Sequence, residues 1–410
     1  MANTGTMNNQ TLDAWQEKVL KDLRGKPLES IYWETRDGIV LNPLNTEGSY
    51  HSFDRIADAG AWEMAETQTA DNSLLDALKW GVSFIRVRQI NESFKDIYGN
   101  MIRFGLPPDS TLETLKLLQS ACNEPIANED LAAVIETDPI TDFLKKGGTQ
   151  KDLEAALNTW ATNAQRIAEE FPGCDVLSLD LCYLTQCGAT NITVLRHALQ
   201  LLEIYGEAAE AKGLNAEGLF KRTRIRMGVS SRLLENIASI RAMRGLWNAF
   251  MQAQSIEFPC RIDAIVPENL YADVDPETNI LRATSGAMGA AAASAASIEI
   301  PAYDIRSAGD HRQASRIARN IHHVLMNESN FDKLSDPGGG AYAIEQYTEQ
   351  LMERAWNSYA EVGDPMLSIL SGALHDDVKG AAERHLDAIR SGNAMRIGVN
   401  KYQPEGTASS

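Results

Sequence analysis

Ile225-Arg-Met-Gly-Val-Ser230 runs straight into Ser231-Arg-Leu-Leu-Glu-Asn-Ile-Ala-Ser-Ile-Arg-Ala-Met-Arg-Gly-Leu-Trp247. The first six residues read as a short strand. In the second stretch Leu233, Leu234, Ile237, Ile240, Met243 and Trp247 recur at the spacing of a helix with one apolar side. A strand that feeds a helix at once is half of a β/α unit, and the alternation continues on both sides. Upstream, Val82–Val87, Leu131–Glu136 and Val176–Leu181 read as strands. Downstream, Arg261–Val266, a weak run at Ile280–Thr284, Ser297–Tyr303 and Met395–Val399 do the same. Helical patterns lie among them at Leu112–Ala121, Leu153–Glu169, Thr193–Ala211, Leu233–Ala253, His311–Met326 and Ile344–Tyr359. Eight strands with intervening helices predict an α/β fold of the TIM (β/α)8 barrel type; an open doubly wound sheet is the alternative on pattern alone.

Ahead of the barrel the chain reads differently. The first ten residues are polar and expected to be disordered, and Leu12 to Leu23 carries the spacing of a short amphipathic helix. Ile31 to Leu44 reads as an extended arm that turns at Asp37-Gly38. An arm bearing Tyr32, Trp33, Ile39, Val40 and Leu41 packs either on the body of the protein or on another subunit. The expected division is residues 1–79 for helix, arm and linker, 80–405 for the barrel, and 406–410 for a disordered tail. The run from Gly286 to Ala296 is nearly all Gly, Ala and Ser, which predicts a helix packed closely on its neighbour.

The chain has 410 residues and 56 acidic side chains against 38 basic ones, a formal net charge of −18. That field disfavours nucleic acid and anionic membrane as partners. No long apolar run and no basic-then-apolar leader is seen at MANTGTMNNQ, so a soluble cytoplasmic protein is expected. The five cysteines include no C-x-x-C, which supports neither a disulfide framework nor a thiolate metal site.

Several segments, in order, resemble the adenosylcobalamin-dependent acyl-CoA mutases, above all the methylmalonyl-CoA mutase family. Arg316-Ile-Ala-Arg-Asn320 with Glu328-Ser329, Asp336-Pro-Gly-Gly-Gly-Ala-Tyr342 and Ile397-Gly-Val-Asn-Lys-Tyr402 are similar to family motifs. So are Ile240-Arg-Ala-Met-Arg-Gly-Leu-Trp247, Ile280-Leu-Arg-Ala-Thr-Ser285 and the arm Thr35-Arg-Asp-Gly-Ile-Val-Leu-Asn-Pro-Leu44. The resemblance implies a TIM barrel whose axis takes the coenzyme A chain, with cobalamin on a separate flavodoxin-like domain marked by D-x-H-x-x-G. That motif is absent from this sequence, so no flavodoxin-like cobalamin domain and no cofactor bound by this chain are expected, with adenosylcobalamin held by a partner subunit.

The resemblance also implies where catalysis should sit. Catalytic members carry Y-H-x-x-E-A-G-A at a strand end, and the aligned residues here are Cys182-Tyr183-Leu-Thr-Gln186-Cys-Gly188-Ala189. Cys182, Tyr183 and Gln186 thus stand where a tyrosine, a histidine donor and a glutamate would be. This reads as a degenerate site, with Tyr183 as a pocket-lining aromatic. The F-D-L-P-type substrate segment is not found either, while Gly60-Ala-Trp62 with Leu74–Gly81 resembles the small, non-catalytic subunit. Arg86 and Arg88, two apart on an extended stretch, and Arg222, Arg224 and Arg226, alternating toward the strand, are candidate contacts for a coenzyme A phosphate or a partner. No histidine spacing suggests a metal site.

Three functions are weighed. The first is a structural subunit that forms a heterodimer with a catalytic, cobalamin-binding mutase chain. The second is a catalytic barrel working with a separate cobalamin protein, and the third a stand-alone acyl-CoA binding protein. They separate on whether the barrel axis is open or filled, with Phe84, Tyr183, Arg226 and Met227 as the large candidate fillers.

Overall fold

The computed structural model describes residues 9–44, 60–68, 74–97, 102–124 and 126–404. Ten strands order it. A two-stranded hairpin, β1 (Trp33–Glu34) and β2 (Val40–Leu41), precedes β3 (Glu63–Thr67), β4 (Phe84–Arg86), β5 (Arg103–Leu106) and β6 (Ala133–Ile135). Then come β7 (Leu177–Asp180), β8 (Thr223–Gly228), β9 (Ile262–Ile265) and β10 (Ser297–Glu299). The last eight form one parallel sheet in the order β6-β5-β4-β3-β10-β9-β8-β7, and a parallel bridge between Val134 and Asp175 brings its two ends together. The result is a nearly closed TIM-type barrel with helices outside.

The six helical patterns read from the sequence are all helices, at Leu112–Ala121, Gln150–Glu170, Asn191–Glu210, Leu233–Ala253, Arg312–His323 and Tyr342–Ala360. Two of the expected strands are not strands. Ile280–Thr284 lies inside the helix Thr278–Ala292, whose Ala283, Ala287, Ala290 and Ala291 are buried at helical spacing. Met395–Val399 is a tight turn in which Arg396 N donates to Asn400 Oδ1 and Ile397 bridges Lys401. Two barrel strands were not foreseen, β3 and β5. Since β3 pairs with both β4 and β10, the barrel sheet begins at Glu63 and not at residue 80. The tail at 406–410 and residues 1–8 lie outside the described residues.

Side-chain alternation decides what the barrel encloses. On β4, Ile85 joins the core shared with the outer helices, whereas Phe84 packs with Ala65 and Val134 in a separate cluster within the barrel. Outside, the small residues of Thr278–Ala292 do what the composition suggested. A Cβ on Gly289 would stand 2.8 Å from Asn236 Cβ, so the helix lies directly against Leu233–Ala253.

The arm packs on the body through its apolar residues and its turn. Ile39 and Leu41 are buried. Arg36 donates to Gly188 O (3.0 Å), and Asp37 accepts from Ile192 N and Asn191 Nδ2 at the start of the helix Asn191–Glu210. A carboxylate there satisfies N–H groups that the helix itself leaves open.

Candidate functional site

The inward positions of the strands carry charge. On β8, Arg224 is buried and makes a two-pronged pair with Asp263 of β9, Nε to Oδ2 at 2.8 Å and Nη2 to Oδ1 at 2.5 Å. Ser297 of β10 donates to the same carboxylate at 2.6 Å. Arg224 also lies 3.4 Å from Glu63 of β3 and 3.9 Å from Asp175. Burial alone would raise Asp263, but Arg224 overrides it and holds the carboxyl at about 2. A second layer lies nearer the strand ends. Arg86 Nε is 2.6 Å from Glu299, and its Nη1 contacts Glu136.

Phe84 fills the space between the layers. Its ring centroid is 4.8 Å from the Arg86 guanidinium carbon and 5.6 Å from that of Arg224, so two cations address one aromatic ring. Phe84 has no exposed surface. A coenzyme A ester would have to thread the axis that Phe84, Arg86 and Arg224 occupy. Displacing these groups would strand Asp263, Glu299 and Glu136 without partners in a dry interior, at several kcal/mol each. The residues present do not fit that ligand.

Above the plug, Arg226 is the half-open member of the set, with 21% of its side chain exposed. Its Nη1 lies 3.9 Å from Asp180 and 4.0 Å from Glu136. Lys145 lies 2.7 Å from Asp180 and 5.2 Å from the centre of the Tyr183 ring.

Tyr183 sits on a six-residue helix, Leu181–Gln186, that leaves the end of β7. It is partly buried. Its phenol is pushed up to about 12, by burial first and then by its hydrogen bond with Cys187. Cys182 is buried, and burial pushes its thiol up to about 12. Gln186 is exposed, and its backbone carbonyl accepts from Asn269 Nδ2. None of the three presents an acid or a base at neutral pH. The strand end where adenosylcobalamin chemistry would need a polar donor offers a phenol engaged with Cys187. These side chains do not fit such a role.

The five arginines singled out by the sequence separate. Arg86 and Arg224 share the axis and are given over to internal carboxylates, and Arg226 stands at its mouth. Arg88 lies past the end of β4, exposed, with its backbone N–H donating to Gln68 Oε1. Arg86 and Arg88 therefore do not form a pair. Arg222 precedes β8, and its Nη1 donates to Gly218 O at 3.0 Å. Of the expected large fillers, Phe84 lies on the axis. Met227 is a buried residue of the shared core, at the opposite parity to Arg224 and Arg226. Asp263, Glu299 and Glu136 were not foreseen. The available signal was a single charge at the inward parity of an otherwise apolar strand. Among the described residues no group of three or more His, Cys, Asp or Glu is placed to hold a metal ion.

Fold and interior together define a parallel (β/α)8 barrel whose axis is closed by its own ion pairs. The chain belongs to the methylmalonyl-CoA mutase family, whose sequence profile matches residues 70–410. It is 24% identical over 462 positions to a methylmalonyl-CoA mutase of Cereibacter sphaeroides, covering 96% of this chain and 64% of that one. Over 345 positions it is 25% identical to the methylmalonyl-CoA mutase small subunit of Streptomyces virginiae, covering 81% and 55%. Over 451 positions it is 25% identical to the small subunit of Propionibacterium freudenreichii subsp. shermanii, covering 98% and 68%. The chain spans less than two thirds of the first two relatives. Among the described residues no helix is long and apolar enough to cross a membrane.

Proposed function

We infer that this chain is a non-catalytic structural subunit of a heteromeric adenosylcobalamin-dependent acyl-CoA mutase, in which a partner chain binds the cofactor and carries the isomerisation. Methylmalonyl-CoA/succinyl-CoA is the substrate pair that the family and its relatives favour. The observation that carries the reading is the axis filled by Phe84 between Arg86 and Arg224. The phenol of Tyr183 at the aligned histidine position supports it, as do two relatives that bear the name small subunit. A catalytic barrel and an acyl-CoA carrier both need an open axis, so the same plug weighs against the two alternatives.

The test is reconstitution. The purified chain is mixed with a cobalamin-binding mutase chain from the same organism, and co-elution, turnover and thioester binding are measured. The expected result is a stable complex, turnover that requires the partner, and no binding of methylmalonyl-CoA by this chain alone. Turnover by this chain with an isolated cobalamin domain, and no other barrel present, sinks the reading.

A further inference from the structure

A cleft of about 840 Å³ opens on the outside of the barrel, beyond the ends of β5 and β6. The turn Pro108–Thr111, the helix Pro139–Lys146 and the helix Gln150–Glu170 supply its walls. Its bottom includes Ile135, which faces the outer helices, whereas its neighbour Val134 packs with Phe84 inside the barrel. The volume falls within the roughly 300–1,000 Å³ of small-molecule sites. Leu153, Trp160 and Ile167, each two turns from the next along one side of the helix Gln150–Glu170, join Phe143 to make the floor apolar.

The walls are held from behind. Trp160 Nε1 donates to Val176 O at 3.0 Å, and its ring meets that of Tyr205 at a centroid distance of 4.7 Å. The Tyr205 hydroxyl donates to Asp138 at 2.6 Å, and Asp138 caps the helix Pro139–Lys146 by accepting from Thr141 N at 3.0 Å. A cleft pinned in this way is preformed, so a ligand loses little in ordering it.

Inside the cleft two polar groups are left open. Ser110 and Thr137 line it and are only 7% and 9% exposed, yet neither hydroxyl has a hydrogen-bond partner among the described residues. A hydroxyl so deeply buried is costly unless something other than the chain satisfies it. The rim is acidic. Asp109 has no partner among the described residues, Asp142 has Lys146 at 3.7 Å, and Asp152 accepts from Thr149 N at 2.8 Å. Three carboxylates against one ammonium, on a chain of net charge −18, set a negative potential over the apolar floor.

We propose that this cleft binds an organic cation, a primary amine that carries an aromatic or branched apolar group. The apolar group covers Phe143 and Trp160. The ammonium, a donor without an acceptor, gives its N–H groups to the open hydroxyl oxygens and the rim carboxylates. The site goes beyond the structural-subunit reading and does not depend on it, because none of these side chains lies on the barrel axis.

The experiment is titration calorimetry on the full chain with phenethylammonium, using phenethyl alcohol and hydrocinnamate as neutral and anionic probes of similar size. Saturable binding is expected for the cation, weaker binding for the alcohol and none for the carboxylate. The double variant Asp109→Asn, Asp142→Asn should weaken the cation by about fivefold and leave the alcohol unchanged. Ala156→Trp fills the cleft from its exposed edge and should abolish binding. Ala155→Trp, on the same helix but outside the cleft, is the control and should bind as wild type. Thermal melts of each variant separate lost binding from lost folding. No saturable binding of phenethylammonium, or wild-type affinity in folded Ala156→Trp, overturns the site. Binding of the alcohol or of hydrocinnamate as tight as that of the ammonium overturns the choice of a cation, and the proposal with it.

Discussion

Arg224 and Asp263, 39 residues apart, face each other across neighbouring strands as a two-pronged ion pair sealed inside the barrel. Replacing Asp263 by Ala leaves the guanidinium buried without its main partner. The expected cost is about 3–5 kcal/mol of unfolding free energy, read from denaturant melts. The double variant Arg224→Met, Asp263→Leu removes both charges and should recover most of that loss. A double variant no more stable than Asp263→Ala would show that the rest of the network, Glu63 and Asp175, depends on Arg224.

Tyr183→His restores the residue type that the catalytic relatives' motif would have, but the axis beneath it stays filled. No turnover is expected from this variant supplied with adenosylcobalamin and methylmalonyl-CoA, and no thioester binding by calorimetry. Phe84→Ala should not open the channel either, because Arg86, Glu299 and Glu136 remain. Its expected effect is a loss of about 3–5 kcal/mol in stability. Thioester binding by either variant would contradict the filled axis.

His322 and Asp263 are among the groups that give the stability a defined pH dependence. His322 is buried and its Nδ1 accepts from Trp62 Nε1 at 3.0 Å; burial holds its pKa at about 3. The unfolded chain takes up this proton near pH 6.5 and the folded one does not, so stability is full above that pH and declines as the pH falls from about 6.5 toward 3. Asp263, ionised in the folded state down to about 2, adds a further loss between about pH 4 and 2. His322→Asn keeps an acceptor for Trp62 and cannot titrate, so melts from pH 7 to 4 should be flatter than those of wild type.

Gly188 has a φ of +93°, and a Cβ there would lie 2.8 Å from Ala382 Cβ. Gly188→Ala meets both a left-handed backbone and the close approach of Ala382 on the helix Ala373–Arg390. A loss of about 1–3 kcal/mol is expected by thermal melts. A neutral result would mean that the helix Ala373–Arg390 shifts freely.

The outer layer of the barrel was legible in the sequence because its helices bury one apolar side each. Gln150–Glu170 and Tyr342–Ala360 follow that rule. The strands obeyed it less. Glu63-Met-Ala-Glu-Thr67 does not look like a strand, since Glu63 faces Arg103 and Arg224 within the barrel while Glu66 faces Arg319 outside it. Acidic residues on both faces erase the apolar signal that marks a strand. Ile280–Thr284 had β-branched residues and read as one, yet Asn279 and Arg282 are tied to the carbonyls of Ala272 and Ile397 as parts of a helix. Arg86 was noticed as a charge but given the wrong neighbour. Its true partners, Glu299 and Glu136, lie far away in sequence, and only barrel closure brings them within reach.

The arm's attachment bears on how the protein is made. Arg36 and Asp37 leave the ribosome early, but their docking partners are Gly188, Asn191, Ile192 and, through its hydroxyl, Tyr347. The hairpin therefore waits through the synthesis of some three hundred further residues before its contacts with Tyr347 and with Arg354, which donates to Gly38 O, exist. During translation its apolar edge needs other cover, so the nascent chain should depend on chaperones until that helix has emerged.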